Sequence, residues 1–299
     1  MSRVLITGID GFTGRYVAQA LVGRGHEVVG MARDRSIPHD APVTATYEAD
    51  LGDPAALSAM MAQVRPDRIV HLAAISAVTH GDVAAIYQTN VVGTRNLLQA
   101  IVSAGIQPDA ILLASSANIY GNASQGQIDE AAPLVPVNDY GVSKLAMEHI
   151  GRIYSGRLPI IIVRPFNYTG VGQSPDFIIP KLIDHARRGE AKIELGNLDV
   201  ARDFSDVRTV AACYARLLDV PGAIGKTFNS CSGRAYVLRD IVGMVERLAN
   251  LRFEISINPD FVRATDLLTL FGSRAALEQA IGLVDMPPLE ETLLWMLRP

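Results

Sequence analysis

Along the first 165 residues, short unbroken apolar runs alternate with longer stretches whose apolar positions recur every three or four residues. "RVLIT" (3–7), "HEVVGMA" (26–32), "DRIVHLAA" (67–74), "DAILLASS" (109–116) and "LPIIIVRP" (158–165) are of the first kind. Runs this short, rich in Val, Ile and Leu, predict strands buried on both faces, as in a parallel sheet. "RYVAQALVGRG" (15–25), "AALSAMMAQV" (55–64), "VVGTRNLLQAIVSAG" (91–105) and "YGVSKLAMEHIGRIYS" (140–155) are of the second kind and predict helices. Their strict alternation predicts an α/β fold with a doubly wound parallel sheet covered by helices on both sides. After Pro165 the pattern turns irregular, with more Pro, Gly and Asn. That part is expected to form a smaller C-terminal α/β lobe, residues 166–196 and 226–299. Residues from about 197 to 225 are expected to return to the main domain of residues 1–165.

Between the first strand and the first helix lies "GIDGFTGRYV", with glycines at Gly8, Gly11 and Gly14. A strand feeding a helix through such a turn lets backbone N–H groups approach an anion, and the helix N-terminus adds a favourable dipole. A dinucleotide pyrophosphate fits the bend, which makes the main domain Rossmann-like. The spacing is G-x-x-G-x-x-G rather than the usual G-x-G-x-x-G. The second strand ends in Ala32, Arg33, Asp34 and Arg35. An NAD enzyme usually places an acid there for the ribose hydroxyls. Ala32 cannot accept a hydrogen bond, whereas Arg33 and Arg35 can clasp a 2′-phosphate. NADP (as NADPH) is therefore the expected cofactor, with NAD left open by Asp34. Asp50 and Leu51, after a further strand pattern, are candidates to face the adenine.

"YGVSK" sets Tyr140 and Lys144 on one face of a predicted helix, four residues apart. An ammonium beside a phenol favours the phenolate and lowers its pKa, so the tyrosine can exchange a proton near neutrality. Upstream, "ASSANIYG" ends a strand in hydroxyls, and Ser115 or Ser116 can hold a carbonyl oxygen beside Tyr140.

With these pieces in place the chain resembles the extended short-chain dehydrogenase/reductases, in their nucleotide-sugar branch. The resemblance is carried by "TGIDGFTG", "DRIVHLAA", "TNVVGTRNLL", "SSANIYG", "YGVSK", "RPFNYTGVGQ" and "RDFSDV", in that order over most of the chain. It implies an NAD(P)-dependent oxidoreductase with Ser116, Tyr140 and Lys144 as catalytic triad. It implies further that Asn90 is the helix asparagine near the catalytic lysine. Phe12 and Thr13 of the glycine turn, and Leu72, Ala73 and Ala74 of "HLAA", would join the cofactor contacts with Tyr140 and Lys144. "GNLDVARDF" and "RPFNYTGVGQ" resemble the subgroup of GDP-mannose 4,6-dehydratases and GDP-4-keto-6-deoxymannose reductases. Arg202 and Arg263 are candidate clamps for a nucleotide-sugar diphosphate, and Asn167 a candidate amide donor to it. The family's R-P-x-D reads Arg263-Ala264-Thr265-Asp266 here.

Dehydratases of this kind place an acid two residues before the "YG" tyrosine to pull the C5 proton. Asn118 holds that place, and an amide cannot act as that base. The expected activity is reduction of the C4 ketone of a nucleotide-linked 4-keto-6-deoxyhexose by NADPH, from GDP-4-keto-6-deoxymannose to GDP-rhamnose or GDP-6-deoxytalose. Two alternatives stay open: a nucleotide-sugar 4-epimerase with tightly held NAD, and the same reduction on a dTDP-linked sugar.

Composition narrows the classes further. A net charge of −4 over 299 residues suggests no nucleic-acid partner, and no apolar stretch reaches membrane-spanning length. The chain enters a strand pattern within a few residues of Met1, so no signal peptide is expected and the protein is read as cytoplasmic. Cys213 and Cys231 lack metal or redox spacing and read as reduced structural thiols. No metal site is expected, and His71 reads as a packed core residue. "HARRGE" (185–190) reads as a solvated helix end, and Trp295 as helix packing. Relatives pair through two helices of each subunit, so a homodimer is expected.

Overall fold

The computed structural model describes residues 1–33, 41–76, 81–121, 126–261 and 269–298. Seven parallel strands form its main sheet, in the order Thr227–Ser230, Ile160–Pro165, Ala110–Ala114, Arg68–His71, Arg3–Thr7, Glu27–Ala32 and Ala45–Glu48. The chain starts in the middle and builds outward in both directions. The order therefore reverses beside Arg3–Thr7 and opens a crevice at the C-terminal strand ends, where open α/β sheets bind ligands.

Successive strand residues point to opposite faces, and here both faces are covered. Val4, Ile6, Leu112 and Ile161 pack with the helices Phe12–Val22 and Val207–Leu217. Leu5, Ile69, Leu113 and Ile160 pack with Pro54–Val64, Thr94–Ser103 and Asp139–Tyr154. This is why the strands read as unbroken apolar runs. Each such side chain contributes about 1.5–3 kcal/mol on burial, so truncating Leu112 to Ala would cost about 2–5 kcal/mol.

A third core lies among the helices Ile178–Arg188, Leu238–Ala249 and Leu289–Leu297, around Leu182, Val245 and Leu293. Beside it is a four-stranded sheet in the order Tyr236–Val237, Ala201–Arg202, Thr269–Gly272 and Gln127–Ile128. A short parallel pair, Asn167–Thr169 with Phe204–Asp206, ties the main body to this region.

Three boundaries differ from the sequence reading. The first helix starts inside the glycine turn, at Phe12 with Gly11 as its cap, and ends at Val22. The helix expected over 91–105 is the distal part of a longer one that begins at Val83 and widens into a π turn over Gln88–Gly93. The return to the main domain expected over about 197–225 is carried by the helix Val207–Leu217, which packs on the main sheet, and the ends of that range differ. Leu198 belongs to the third core, and the strand that completes the sheet, Thr227–Ser230, lies beyond residue 225. That edge strand escapes the apolar pattern because "TFNS" carries a single apolar side chain, with Asn229 and Ser230 buried as polar residues.

Candidate active site

The glycine turn sits at the crevice. Gly8 adopts φ +71, a left-handed conformation that glycine takes without strain. A Cβ there would stand 2.8 Å from the backbone of Ala73, so the turn lies directly on the Leu72–Ala73 segment that follows the fourth strand. A Cβ on Gly14 would meet the carbonyl oxygens of Gly8 and Ile9 at 2.7 Å, so helix and turn are in close contact. No side chain caps the helix at Gly11, and its first turn holds no acidic residue. Gly11 N and Gly14 N donate within the turn, to the Gly8 and Gly11 carbonyls at 3.1 Å, and the positive end of the uncapped helix fits a dinucleotide pyrophosphate. Phe12 stacks on Tyr168 with ring centroids 6.1 Å apart, and Thr13 Oγ1 lies 2.8 Å from the Tyr168 hydroxyl. Both residues therefore fasten the turn to the second region.

Arg33 is exposed just past the second strand, whose Met31 carbonyl accepts from Gly8 N at 2.9 Å. An arginine so close to the turn fits a 2′-phosphate. Asp34 and Arg35 lie outside the described residues. Asp50 is exposed, and its carboxylate accepts from Gly52 N at 2.6 Å. Leu51 is buried, and its carbonyl accepts from the Asn96 amide at 2.9 Å. Ala74 follows Ala73 along the same crevice edge.

On the far side of the crevice, Asn138 caps the helix Asp139–Tyr154 by accepting from Gly141 N at 2.8 Å. This fixes the first turn and with it Tyr140. Tyr140 is 8% exposed, and Ser116 lies near enough to its hydroxyl to favour the phenolate. Ser116 Oγ accepts from both the backbone and the side-chain nitrogen of Asn118, each at 3.1 Å. Both lone pairs are thus taken, and the one hydroxyl hydrogen is left to donate. Of the two serines considered, Ser116 meets Tyr140, whereas the Ser115 hydroxyl is buried with no hydrogen-bond partner among the described residues.

Lys144 lies one turn along, 4% exposed, and donates to the Ala114 carbonyl at 2.7 Å. Burial pushes its pKa down to about 8, with Glu148 acting in the opposite sense. One expectation is corrected here. The Tyr140 phenol is raised above its ordinary value by burial, opposed by the nearby Ser116 hydroxyl. The Lys144 ammonium is engaged with the Ala114 carbonyl, and desolvation of the phenol dominates.

Asn90, fully buried in the π turn, holds two segments together. Its Oδ1 accepts from Ile75 N at 2.9 Å, and its Nδ2 donates to the Ile75 carbonyl and to Ser143 Oγ, each at 3.0 Å. Asn167 is exposed and its amide donates to the Asp203 carbonyl at 3.2 Å. Arg202 is half-buried two residues before Phe204, which pairs with Asn167, and its guanidinium donates to the Ala201 carbonyl at 2.9 Å. Arg263 lies outside the described residues.

Sequence reasoning missed a buried network behind Tyr140. Arg164 donates to both Glu148 oxygens at 2.9 and 2.8 Å and to the Tyr120 hydroxyl at 3.0 Å. Tyr120 in turn donates to Asn229 Oδ1 at 2.7 Å. A signal was present: Tyr140, Ser143, Lys144, Met147, Glu148 and Gly151 form one helical stripe of buried residues that includes two charges. Asp203 was also missed. It is fully buried and accepts from Ser232 N and Oγ and from Gly233 N at 2.7–2.9 Å. Cys213 and Cys231 are buried free thiols, and Trp295 packs edge-on against Tyr16. Among the described residues no group of three or more His, Cys, Asp or Glu could hold a metal ion. No helix among them is long and apolar enough to cross a membrane.

The profile of the NAD dependent epimerase/dehydratase family matches residues 4–231. The chain is 32% identical to GDP-6-deoxy-D-talose 4-dehydrogenase of Aggregatibacter actinomycetemcomitans, over 94% of this chain and 91% of that protein. It is 31% identical to GDP-6-deoxy-D-mannose reductase of Pseudomonas aeruginosa, with the same two coverages of 94% and 91%. Among solved structures, RMD from Pseudomonas aeruginosa complexed with NADPH matches with a TM-score of 0.85 and 30% identity, covering 99% of this chain and 98% of that one.

Proposed function

The chain belongs to the NAD dependent epimerase/dehydratase family, and we propose that within it this protein is an NADPH-dependent reductase of the C4 ketone of a GDP-linked 4-keto-6-deoxyhexose. The observation that carries the reading is Asn118. Both its nitrogens donate to Ser116 Oγ, where a dehydratase would need a carboxylate. The two relatives' names describe oxidation or reduction of GDP-linked 6-deoxyhexoses, which is chemistry this site can perform.

NADPH, when bound on the glycine turn, supplies the hydride that goes to C4 of the sugar. Gly8, Gly11 and Gly14 seat its pyrophosphate, and Arg33 its 2′-phosphate. The Ser116 hydroxyl, turned into a donor by Asn118, holds the ketone oxygen. Tyr140 keeps its proton at neutral pH because burial raises its pKa, and it gives that proton to the oxygen as the hydride arrives at C4. Lys144 brings a positive charge to the phenolate so formed and orients the nicotinamide ribose. Asn167, Arg202 and Arg263 hold the nucleotide diphosphate in a substrate lobe made of the third core and its small sheet. The enzyme works in the cytoplasm as a homodimer through the outer faces of the Thr94–Ser103 and Asp139–Tyr154 helices.

The test mixes purified protein with NADPH and GDP-4-keto-6-deoxymannose and follows nicotinamide absorbance. The expected result is loss of absorbance with a GDP-6-deoxyhexose product. Tyr140→Phe should slow it about a thousandfold, within the range for a lost general acid. No oxidation, together with NAD that stays bound through purification, would replace this reading with a 4-epimerase.

A further inference from the structure

His71 lies at the end of the fourth strand, 2% exposed, and the reduction step described above makes no use of it. Its ring stands between two threonines. Nδ1 is 2.7 Å from Thr7 Oγ1, and Nε2 is 2.8 Å from Thr94 Oγ1. The hydrogens of this chain can be placed from the far end. The Thr94 hydroxyl donates to the Asn90 carbonyl at 2.8 Å, the back-bond that a threonine makes to the preceding helical turn. A hydroxyl has one hydrogen, so Thr94 Oγ1 must accept from His71 Nε2–H. The ring is neutral, since burial, aided by the Lys144 charge, pushes its pKa down to about 3. Nδ1 is therefore an acceptor, and Thr7 Oγ1–H donates to it. Thr7 Oγ1 in turn accepts from Ala73 N at 3.2 Å.

Both ends of this chain reach the candidate site. Ala73 is the residue against which Gly8 packs, with no room for a Cβ between them. Asn90, at the other end, donates to Ser143 Oγ at 3.0 Å, and Ser143 Oγ donates to the Tyr140 carbonyl at 2.8 Å. Every donor from Ala73 N to the Tyr140 carbonyl has a single acceptor assigned to it along this path, apart from the Asn90 amide, which also holds Ile75.

We infer that His71 is a positioning residue: a neutral imidazole, protonated on Nε2, that fixes the cofactor turn through Thr7 and Ala73 and the Tyr140 helix through Thr94 and Asn90. This inference rests on the reading of the site as a dinucleotide-dependent reductase. A buried histidine that merely fills space would stabilise the fold without linking the two sides. A linking histidine makes specific and separable demands on its two neighbours.

The experiment uses the full chain with Thr7→Val, Thr94→Val and His71→Leu, alone and in pairs. Each threonine change keeps the side-chain shape and removes one link. Losing one buried hydrogen bond corresponds to about a tenfold effect. Thr7→Val is expected to weaken NADPH binding about tenfold, read by cofactor fluorescence. Thr94→Val is expected to leave that affinity within about twofold and to lower kcat about tenfold. Adding Thr94→Val to His71→Leu is expected to lower kcat no further, because the link is already cut. Additive losses, or Thr94→Val with unchanged kcat, would overturn the inference.

Long-range nitrogen–proton NMR of unliganded wild-type protein supplies an arm that needs neither substrate nor folded variants. His71 should show a proton on Nε2 and no titration between pH 5 and pH 9, as follows for a group held at about 3. A proton on Nδ1, or a titrating ring, would overturn the inference even in a fully active enzyme. If wild-type protein fails to oxidise NADPH with the GDP-linked ketone, the proposed reaction falls, while the tautomer still decides the role of His71.

Discussion

Two cations are buried against the helix that carries Tyr140, and the protein treats them differently. Arg164, 2% exposed, has its guanidinium filled by both oxygens of Glu148, the Tyr120 hydroxyl and the Glu130 carbonyl. These partners raise its pKa above the ordinary arginine value despite burial. Lys144, 4% exposed, has one carbonyl at 2.7 Å and a thioether sulfur at 3.9 Å, and its pKa is pushed down to about 8. Glu148, one turn further along the same helix, spends its oxygens on Arg164 instead. The difference separates a charge that holds structure from a charge held in reserve. A fully partnered ion has no capacity for a new ligand, while an under-partnered one gains most when a phenolate or a ribose hydroxyl arrives.

The strongest attempt to break this contrast is to remove Arg164. Arg164→Ala leaves the buried Glu148 with the half-exposed Arg152 guanidinium at 3.4 Å in place of its buried partner, and should cost about 3 kcal/mol in urea unfolding. Replacing both partners, Arg164→Met with Glu148→Leu, should recover most of that loss, since the packing is kept and the buried charge removed. If the single and double replacements were equally destabilised, the pair would not be acting as a unit.

Lys144→Met should show the reverse signature. Turnover should fall about a hundredfold, as for a lost acid–base partner, with stability at neutral pH equal to or above wild type. A Lys144→Met protein that unfolds as readily as Arg164→Ala would erase the distinction.

The pH dependence sharpens it further. The ordinary lysine value is 10.5, and the folded value is about 8. Below the folded value both states are protonated, and burial of the charge is a full penalty of about 3 kcal/mol. As pH rises from about 8 to 10.5 the folded protein loses this proton first and the unfolded chain holds more protons, so the penalty fades. The stability advantage of Lys144→Met over wild type should therefore shrink across that window. A difference that is flat from pH 7 to pH 10.5 would rule out a depressed lysine.

The smallest effect belongs to a pair at the surface. Arg239 and Asp199 lie 2.8 Å apart with side chains 62% and 72% exposed. Asp199→Asn should change stability by less than about 0.5 kcal/mol, and less again in high salt.

Much of the main sheet was legible because burial on both faces leaves no polar residue in a strand such as "RVLIT" beyond its first and last positions. Gly8, Gly11 and Gly14 were legible because a turn against backbone excludes side chains. Tyr140 and Lys144 were legible from helical spacing. The second region was harder. Its strands Ala201–Arg202, Tyr236–Val237 and Gln127–Ile128 are two residues long and carry no period. The π turn leaves no mark in composition. Arg164 was hidden inside "IIIVRP", where an apolar run suggests nothing for a guanidinium to meet, and its partner Glu148 comes from another element. What one sequence cannot supply is pairing across elements, and the buried network consists entirely of such pairings.

The π turn over Gln88–Gly93 has a meaning for how this chain tolerates change in length. Each residue advances an α-helix by about 100°. One residue accommodated in a wide turn therefore resets which way the preceding segment faces. Before it, Tyr87 reaches Asp139 at the start of the Tyr140 helix; after it, Leu97, Leu98 and Ile101 face the core. Deleting one residue there would leave an unbroken helix with one of those two faces turned away. Insertions and deletions are usually absorbed by surface loops. Here a single position in the middle of a helix behaves as a phase marker, and the two halves can keep their partners only while it is present.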